Sequence, residues 1–130
     1  MADQFLFGAI GVLGVIGFFT ALSTTTPTEK IVLYYKVGCP WCERMRGDWN
    51  TYVSGISQDV PGFTTMDENG YASVHFTQGG AIIACEKSYM PAAVAANIVQ
   101  FPTIVKYGKN LVKHYSGDRS SDSLNAFHYS

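Results

Sequence analysis

The chain has 130 residues, a formal net charge of −1 at pH 7 and a pI near 6.2. This length accommodates one folded domain and at most one appendage, and the scattered lysines and arginines form no basic patch, which excludes nucleic acid as a partner. Apolar residues make up 47% of the sequence against 15% charged residues, so a large apolar surface must be buried.

The N-terminal stretch of residues 5–22, FLFGAIGVLGVIGFFTAL, contains 18 residues without a charge or a proline. As a helix it would be about 27 Å long, which is enough to cross a thin bilayer. We therefore predict a transmembrane anchor in residues 1–22 and a lipid bilayer as the partner of residues 5–22. A cleaved signal peptide and a helix folded into the core are the alternatives.

Two further features of this stretch concern its surroundings. Its glycines recur every third residue and would let a second helix approach closely, although glycine is also common in membrane helices. Asp3 precedes the stretch, whereas Lys30 and Lys36 follow it. The positive-inside rule then predicts a single-pass protein with its globular part on the cytoplasmic side of a cellular, internal or viral membrane.

The globular part is predicted to start after a polar linker. Residues 23–30, STTTPTEK, lack periodicity and contain a proline, which is typical of a linker. Residues 31–37, IVLYYKV, form an apolar run rich in β-branched and aromatic side chains, which predicts a buried strand. From Pro40 onward apolar residues recur at helical spacing: Met45, Trp49, Tyr52, Val53 and Ile56. Strand and helix thus begin a domain of residues 31–130.

The remaining elements are shorter. Asn-Gly at the end of residues 67–70 indicates a tight turn, so we predict a hairpin over residues 63–76. Strands are predicted over residues 63–66, 71–76, 81–85, 103–107 and 111–115. Residues 87–99 are predicted to form a helix or two short turns interrupted near Pro91. A last helix, capped by Ser120 or Ser121, is predicted to reach His128.

Cys39 and Cys42 lie where the first strand gives way to the helix, and this position points to redox chemistry. Unpaired backbone amides and the helix dipole favour a thiolate at Cys39, Lys36 adds a positive charge, and Pro40 suits the first helical position. Cys42, one turn further along, could attack a mixed disulfide on Cys39. The chain would then need no cofactor.

Two other interpretations of the cysteines stay open. A structural zinc site needs four ligands, and the candidates are Cys85 and the histidines at 75, 114 and 128, which contain no second close-spaced pair. Alternatively, both cysteines are buried small residues without chemistry. Cys85 ends a predicted strand and is interpreted as a core residue or as a third redox thiol. The three histidines are expected at or near the surface.

Three sequence segments together resemble the thioredoxin superfamily over about residues 30–128. They are YYKVGCPWCERM, VQFPTIVKYGKN and YSGDRSSDSLNAF, in that order along the chain. The resemblance implies an α/β thioredoxin-like fold, a central mixed sheet flanked by helices, preceded here by one N-terminal transmembrane helix. It also implies that Cys39 attacks, that Cys42 resolves, and that Pro102 follows a cis bond. Phe101, Pro102 and Trp41 would then contact the substrate.

The chain also departs from that family. Leu33 stands where thioredoxins and disulfide isomerases carry a buried acid, so the usual assistant for deprotonating Cys42 is missing. The double glycine that binds glutathione in glutaredoxins does not follow Pro102, which argues against glutathione as direct substrate. Roughly twenty extra residues separate Cys42 from Pro102, and we assign them to the hairpin near residues 63–76, either as a docking surface or as a tolerated loop extension.

The leading hypothesis is a membrane-anchored thiol–disulfide oxidoreductase that acts on protein dithiols or disulfides. The main alternative is a structural one, in which a thioredoxin-like fold tethers a membrane to a protein shell, for example in a large DNA virus particle. The direction of electron flow depends on the reduction potential of the cysteine pair relative to that of its compartment. The sequence does not reveal this reduction potential.

Overall fold

The computed structural model describes residues 29–130. The predicted membrane span, its helix pairing and most of the linker lie outside the described residues. Within residues 29–130, no helix has both the length and the apolar character needed to cross a membrane.

The described part of the chain contains six strands, three α-helices and one 3₁₀ turn. The strands are β1 (Lys30–Tyr35), β2 (Gly62–Met66), β3 (Ala72–Phe76), β4 (Ala81–Glu86), β5 (Thr103–Gly108) and β6 (Leu111–His114). The helices are α1 (Pro40–Asp59), α2 (Ala92–Ala95) and α3 (Ser121–His128), and a 3₁₀ turn covers Lys87–Tyr89. The expected strand–helix order is therefore confirmed.

The six strands form one mixed sheet in the order β2-β3-β4-β1-β5-β6. β1 runs parallel to β4, and the other neighbouring strands are antiparallel. β1 thus lies in the interior of the sheet, between β4 and β5. The two cysteines follow the C-terminal end of this central strand. This arrangement confirms the mixed sheet predicted from the sequence.

β1 is covered on both faces, which explains why it is apolar without alternation. Ile31, Leu33 and Tyr35 belong to the larger core cluster, together with buried side chains of α1 and α3. Val32 and Tyr34 pack on the other side of the sheet with Ile98 and Val105. Helical segments therefore flank both faces of the sheet.

The apolar stripe predicted for the first helix is the buried face of α1. The buried residues are Cys42, Met45, Trp49, Tyr52, Val53 and Ile56. Trp49 is fully buried, and its indole N–H donates a 2.8 Å hydrogen bond to the carbonyl oxygen of Ala72. This bond connects α1 with the start of β3.

The predicted hairpin is confirmed as β2 and β3, which pair from Gly62 opposite Phe76 to Met66 opposite Ala72. β3 also pairs with β4, so β2 forms an outer edge of the sheet, and all five of its residues are exposed. In the turn, the Asp67 carboxylate accepts the backbone N–H groups of Asn69 and Tyr71, both at 2.9 Å. The hairpin is thus an integral part of the sheet.

Several element ends differ from the sequence prediction. β1 stops at Tyr35 rather than residue 37, because Gly38 has a φ of +84° and the N–H of Cys39 turns back to the carbonyl of Lys36. Residues 87–99 contain two short helical pieces on either side of Pro91, which matches the second of the two forms considered. Ser120 caps α3 by accepting the N–H of Ser123.

Lys106 is a buried cation that the sequence pattern did not reveal. It lies in β5 with 3% of its surface exposed. Its ammonium group donates hydrogen bonds of 2.9 Å each to the carbonyl oxygens of His128 and Ser130. These bonds satisfy one acceptor at the last residue of α3 and one two residues beyond it, and they compensate the burial of the charge.

Candidate active site

The junction between β1 and α1 holds both cysteines of the C-x-x-C segment. Cys39 is the residue immediately before the helix and has extended backbone angles, and Pro40 occupies the first helical position. Proline suits that position because the missing N–H would have no partner inside the helix. Gly38, in the left-handed region, allows the chain to turn from the strand into the helix.

Cys39 is half-buried and lies against the segment that contains Pro102. Its thiol donates a hydrogen bond of 3.6 Å to the carbonyl oxygen of Phe101. Its side chain makes no capping hydrogen bond to the helix. Burial alone would raise the pKa of Cys39, but the backbone amides of Cys42 and Trp41, the Cys42 thiol and the Lys36 charge together lower it below its ordinary value. The thiolate of Cys39 therefore forms more readily than that of an ordinary cysteine, and the backbone amides at the start of α1 contribute more to this effect than Lys36 does.

Cys42 has the opposite environment. It is completely buried in the main core cluster. Burial, followed by the interaction with Cys39, raises the pKa of Cys42 to about 12, although the backbone amide of Lys36 opposes this effect. The two sulfurs therefore differ in access and in ionisation, as a nucleophile and a resolving thiol require.

The Phe101–Pro102 peptide bond is cis. Pro102 itself is buried, and its carbonyl oxygen accepts a 3.2 Å hydrogen bond from the guanidinium of Arg119. Phe101 is half-buried between the two core clusters. Arg119 was not named as a site residue from the sequence, because only the folded chain brings the loop before α3 next to Pro102.

Trp41 lies outside the core, between the two cysteines. It is 63% exposed, and the guanidinium of Arg44 lies 4.6 Å from its ring centroid. A shallow cleft of about 400 Å³ starts at this ring. It is lined by Trp41, Arg44, Met45, Asp48, Asp118, Arg119 and Ser120. Trp41 therefore presents an exposed aromatic ring beside the Cys39 thiol.

The sequence-predicted site residues fall into two groups in space. Cys39, Cys42, Phe101 and Pro102 come together at the end of β1, although more than fifty residues separate the two pairs along the chain. Trp41, Lys36 and Pro40 surround this group on the exposed side. The fold thus brings the four central residues named from the sequence together, whereas the polar groups around them, such as Arg119, carry no sequence signal.

A cluster of tyrosines next to α1 was missed. The rings of Tyr35 and Tyr71 stack with centroids 3.8 Å apart. The hydroxyl of Tyr35 donates to the carboxylate of Asp67 and accepts a 3.0 Å hydrogen bond from the side chain of Asn69. The turn residues 67–70 identified the hairpin, but no spacing in the sequence indicates that the hairpin reaches the cysteine-bearing helix.

Cys85 is half-buried, next to the smaller core cluster, rather than fully inside the core. Burial raises the pKa of its thiol, and the neighbouring Glu86 carboxylate adds to that effect, so this cysteine is not activated. His75 and His114 are exposed, and His128 is half-buried, as expected. Among residues 29–130, no three His, Cys, Asp or Glu side chains are grouped so that they could hold a metal ion.

The mixed sheet, the cysteines at the mouth of α1 and the proline segment beside them define a thioredoxin-like fold. Two similar solved structures are the J-Trx1 fragment of ERdj5, with a TM-score of 0.56 and 18% identity, and form I of human ERp44, with a TM-score of 0.57 and 15% identity. They match 79% and 78% of this chain. The chain spans only 41% of the first structure and 24% of the second.

A third similar structure is the germline-specific thioredoxin protein Deadhead of Drosophila melanogaster. Its TM-score is 0.50 and its identity 10%, over 79% of this chain and 80% of that one. No protein-family model and no curated protein matches the sequence. The structural similarities confirm the thioredoxin-like fold that the three sequence segments predicted.

Proposed function

We propose that this chain is a membrane-anchored thiol–disulfide oxidoreductase that acts on protein dithiols or disulfides. The observation that carries the proposal is the contrast between its two cysteines: Cys39 is accessible with a lowered thiol pKa, and Cys42 is buried with a raised one. A metal site or an inert core pair gives no reason for such an asymmetry. The thioredoxin-like fold supports a redox function at the level of fold.

The reaction proceeds through a mixed disulfide. The Cys39 thiolate attacks one sulfur of a substrate disulfide, and the other substrate sulfur leaves as a thiolate that takes up a proton. The Cys42 sulfur then attacks Cys39, which releases the second substrate thiol and leaves a disulfide between Cys39 and Cys42. The substrate is reduced and the chain is oxidised; the reverse sequence oxidises a substrate dithiol.

The surroundings of Cys39 favour an extended protein segment as substrate. The backbone of Phe101 lies beside the attacking sulfur, before the buried Pro102, and extended peptides commonly bind through main-chain groups of this kind. Trp41 offers an exposed apolar surface next to the same sulfur. The cleft beyond it is lined by two positively charged residues, Arg44 and Arg119, and by two negatively charged ones, Asp48 and Asp118. It can therefore bind substrate side chains of either charge.

Covalent trapping tests the enzymatic part of the proposal. In the Cys42→Ser variant of the full-length chain, the resolving step is blocked, so mixed disulfides with substrate proteins should accumulate on Cys39. The Cys85→Ser variant is the matched control and should behave like the wild type. If Cys42→Ser captures no more protein in its native membrane than a Cys39→Ser, Cys42→Ser double variant does, the oxidoreductase function is wrong.

Membrane anchoring through residues 5–22 is a separate part of the proposal, supported by 18 consecutive residues without charge or proline. The full-length chain should remain with membranes through high-salt and alkaline washing. In sealed vesicles with their cytoplasmic side outward, added protease should digest the globular part. Release of the intact chain by salt would contradict the anchor, and protection from protease would contradict the orientation.

A further inference from the structure

The strand β2 ends the sheet on the hairpin side, and its outer edge has no partner strand within residues 29–130. All five of its residues are exposed, Phe63 by 76% and Met66 by 61%. An edge of this kind is a template for pairing with another chain unless a lysine, a proline or a bulge blocks it. The outer edge of β2 is therefore open to a further strand if these devices are missing.

The hydrogen bonds at the two ends of the hairpin show which main-chain groups of β2 point outward. The N–H of Thr77 donates to the carbonyl of Pro61, and the N–H of Asp67 donates to the carbonyl of Tyr71, at 3.0 Å and 3.0 Å. Because hydrogen-bonded pairs alternate along an antiparallel ladder, the odd-numbered residues bond to β3 and the even-numbered ones direct their N–H and C=O groups outward. The outward-facing residues are Gly62, Thr64 and Met66.

The usual protective devices do not block this edge. Residues 60–66, VPGFTTM, carry no charge, and the pairing of β2 with β3 runs from Gly62 to Met66 without a bulge. Pro61 precedes the strand, and its nitrogen, which lacks a hydrogen, lies on the side that faces β3. The opposite outer strand, β6, differs because it carries Lys113. One edge of the sheet is thus charged, whereas the other is neutral and open.

β2 is complementary to a second copy of itself. When two copies of β2 run antiparallel and all outward-facing residues find partners, Thr64 lies opposite Thr64 of the second copy and Gly62 lies opposite Met66. This register forms about six main-chain hydrogen bonds, two for each pair. A Cβ at Gly62 would lie 2.6 Å from a carbonyl oxygen of β3, so glycine is required there, and it offers flat backbone to the Met66 side chain. On the other face, Phe63 lies opposite Thr65.

The charges beside β2 are compatible with this antiparallel pairing. Asp67, the first charged residue after β2, falls opposite the uncharged Pro61 of the second copy, whereas parallel pairing would align the two Asp67 carboxylates. The Asp67 carboxylate is also engaged within its own chain, by the N–H groups of Asn69 and Tyr71. A neutral strand flanked in this way fits a neutral partner strand, and β2 itself has that composition.

We propose that two copies of this chain associate through β2, with a two-fold axis at Thr64 that joins their sheets into one. This inference goes beyond the proposed function and does not depend on the cysteines. Because the paired strands are short, the dimer forms reversibly and its amount depends on concentration. β3 and β4 separate β2 from β1, so both cysteine pairs of the dimer remain open to substrate.

Charge substitutions at Thr64 test this register in the full-length chain in mild detergent, with the protein molar mass measured by light scattering over a range of concentrations. Thr64→Lys and Thr64→Glu each place like charges opposite one another across the two-fold axis, so each should weaken self-association about fivefold or more. An equimolar mixture of the two variants should restore dimers, because lysine then faces glutamate. Val112→Lys, at an exposed position of β6, is the matched control and should associate like the parent.

Disulfide cross-linking in membranes reports the register directly. With all three native cysteines replaced by serine, a Thr64→Cys side chain faces its counterpart at a Cα separation of about 5.5 Å, which a disulfide can bridge. Thr65→Cys lies on the same exposed strand, but its counterpart is about 8 Å away, which is too far. Oxidation should therefore link the Thr64→Cys chains into dimers and leave the Thr65→Cys chains mainly monomeric.

The inference is wrong if the parent stays monomeric at every concentration, or if Thr64→Lys and Thr64→Glu associate as strongly as the parent. Equal cross-linking of Thr64→Cys and Thr65→Cys would also overturn it, as would a Lys and Glu mixture that forms no more dimer than either variant alone. An edge that pairs with a different protein would give monomers in both assays. Covalent trapping by Cys42→Ser should be unaffected by the Thr64 substitutions, so a failure here leaves the proposed function standing.

Discussion

Asn50 is the side chain that we expect to connect the hairpin most strongly to α1, and its replacement gives a quantitative test. Its amide makes two hydrogen bonds of 2.8 Å, to the carbonyl of Gly70 and to the N–H of Ala72, and Ala72 is only 2% exposed. Each bond contributes about 1 kcal/mol, and a buried amide left unpaired costs about 1–3 kcal/mol. Asn50→Ala should therefore lower the free energy of unfolding by about 2–3 kcal/mol, a large share of the roughly 5–15 kcal/mol typical of a domain.

The measurement is unfolding of the reduced chain in denaturant, with the midpoint and the slope fitted separately. The midpoint should fall while the slope stays constant, because the same surface is exposed on unfolding. Asn125→Ala, on the exposed face of α3, is the matched control and should change stability by less than about 0.5 kcal/mol. A similarly small loss in Asn50→Ala would refute the idea that this side chain fastens the hairpin to the helix.

Two further predictions concern ionisable groups. Burial, assisted by the charge of Lys106, lowers the pKa of His128 to about 4 from its ordinary value near 6.5. As the pH falls, the unfolded chain therefore binds a proton at this histidine before the folded chain does. The free energy of unfolding should decrease by about 1–2 kcal/mol as the pH is lowered from 6.5 to 4, after discounting for partial exposure. Denaturant unfolding of His128→Gln over the same pH range should not show this decrease. The raised thiol pKa values of Cys42 and Cys85 predict that brief iodoacetamide treatment at neutral pH modifies Cys39 alone, as read by peptide mass spectrometry; initial labelling at Cys85 would contradict the assignment.

Local patterns were sufficient for most of the fold. The unbroken apolar run of β1, the helical stripe that includes Met45 and Trp49, and the turn at residues 67–70 each predict an element through its own periodicity or turn chemistry. The contact between Cys39 and Phe101 bridges 62 positions in sequence, and it was anticipated only because three segments in the right order resemble a known superfamily. No local rule supplies such a contact.

The polar interior could not be predicted in the same way. In the sequence, Lys106 follows apolar strand residues as a solvent-exposed lysine would. Only the folded structure shows that the end of α3 accepts a hydrogen bond from its ammonium group. Tyr71 fits a strand start equally well with or without its hydroxyl, so no sequence signal shows that this oxygen lacks a hydrogen-bond partner within residues 29–130. Asn50 lies in a helix, where asparagine is unremarkable, and its two bonds depend on where the hairpin folds back. Each of these features is a tertiary arrangement of groups whose residue type alone is uninformative.

The complete burial of Cys42 also determines how the chain would respond to peroxide. Oxidant arriving from solvent reaches Cys39 before the buried Cys42 and converts the Cys39 thiol to a sulfenic acid. The neighbouring thiol then condenses with that sulfenic acid, expelling water and forming a disulfide before the irreversible sulfinic stage is reached. A cysteine placed out of reach of oxidants thus protects the one that is exposed to them, and ordinary reductants can restore the pair.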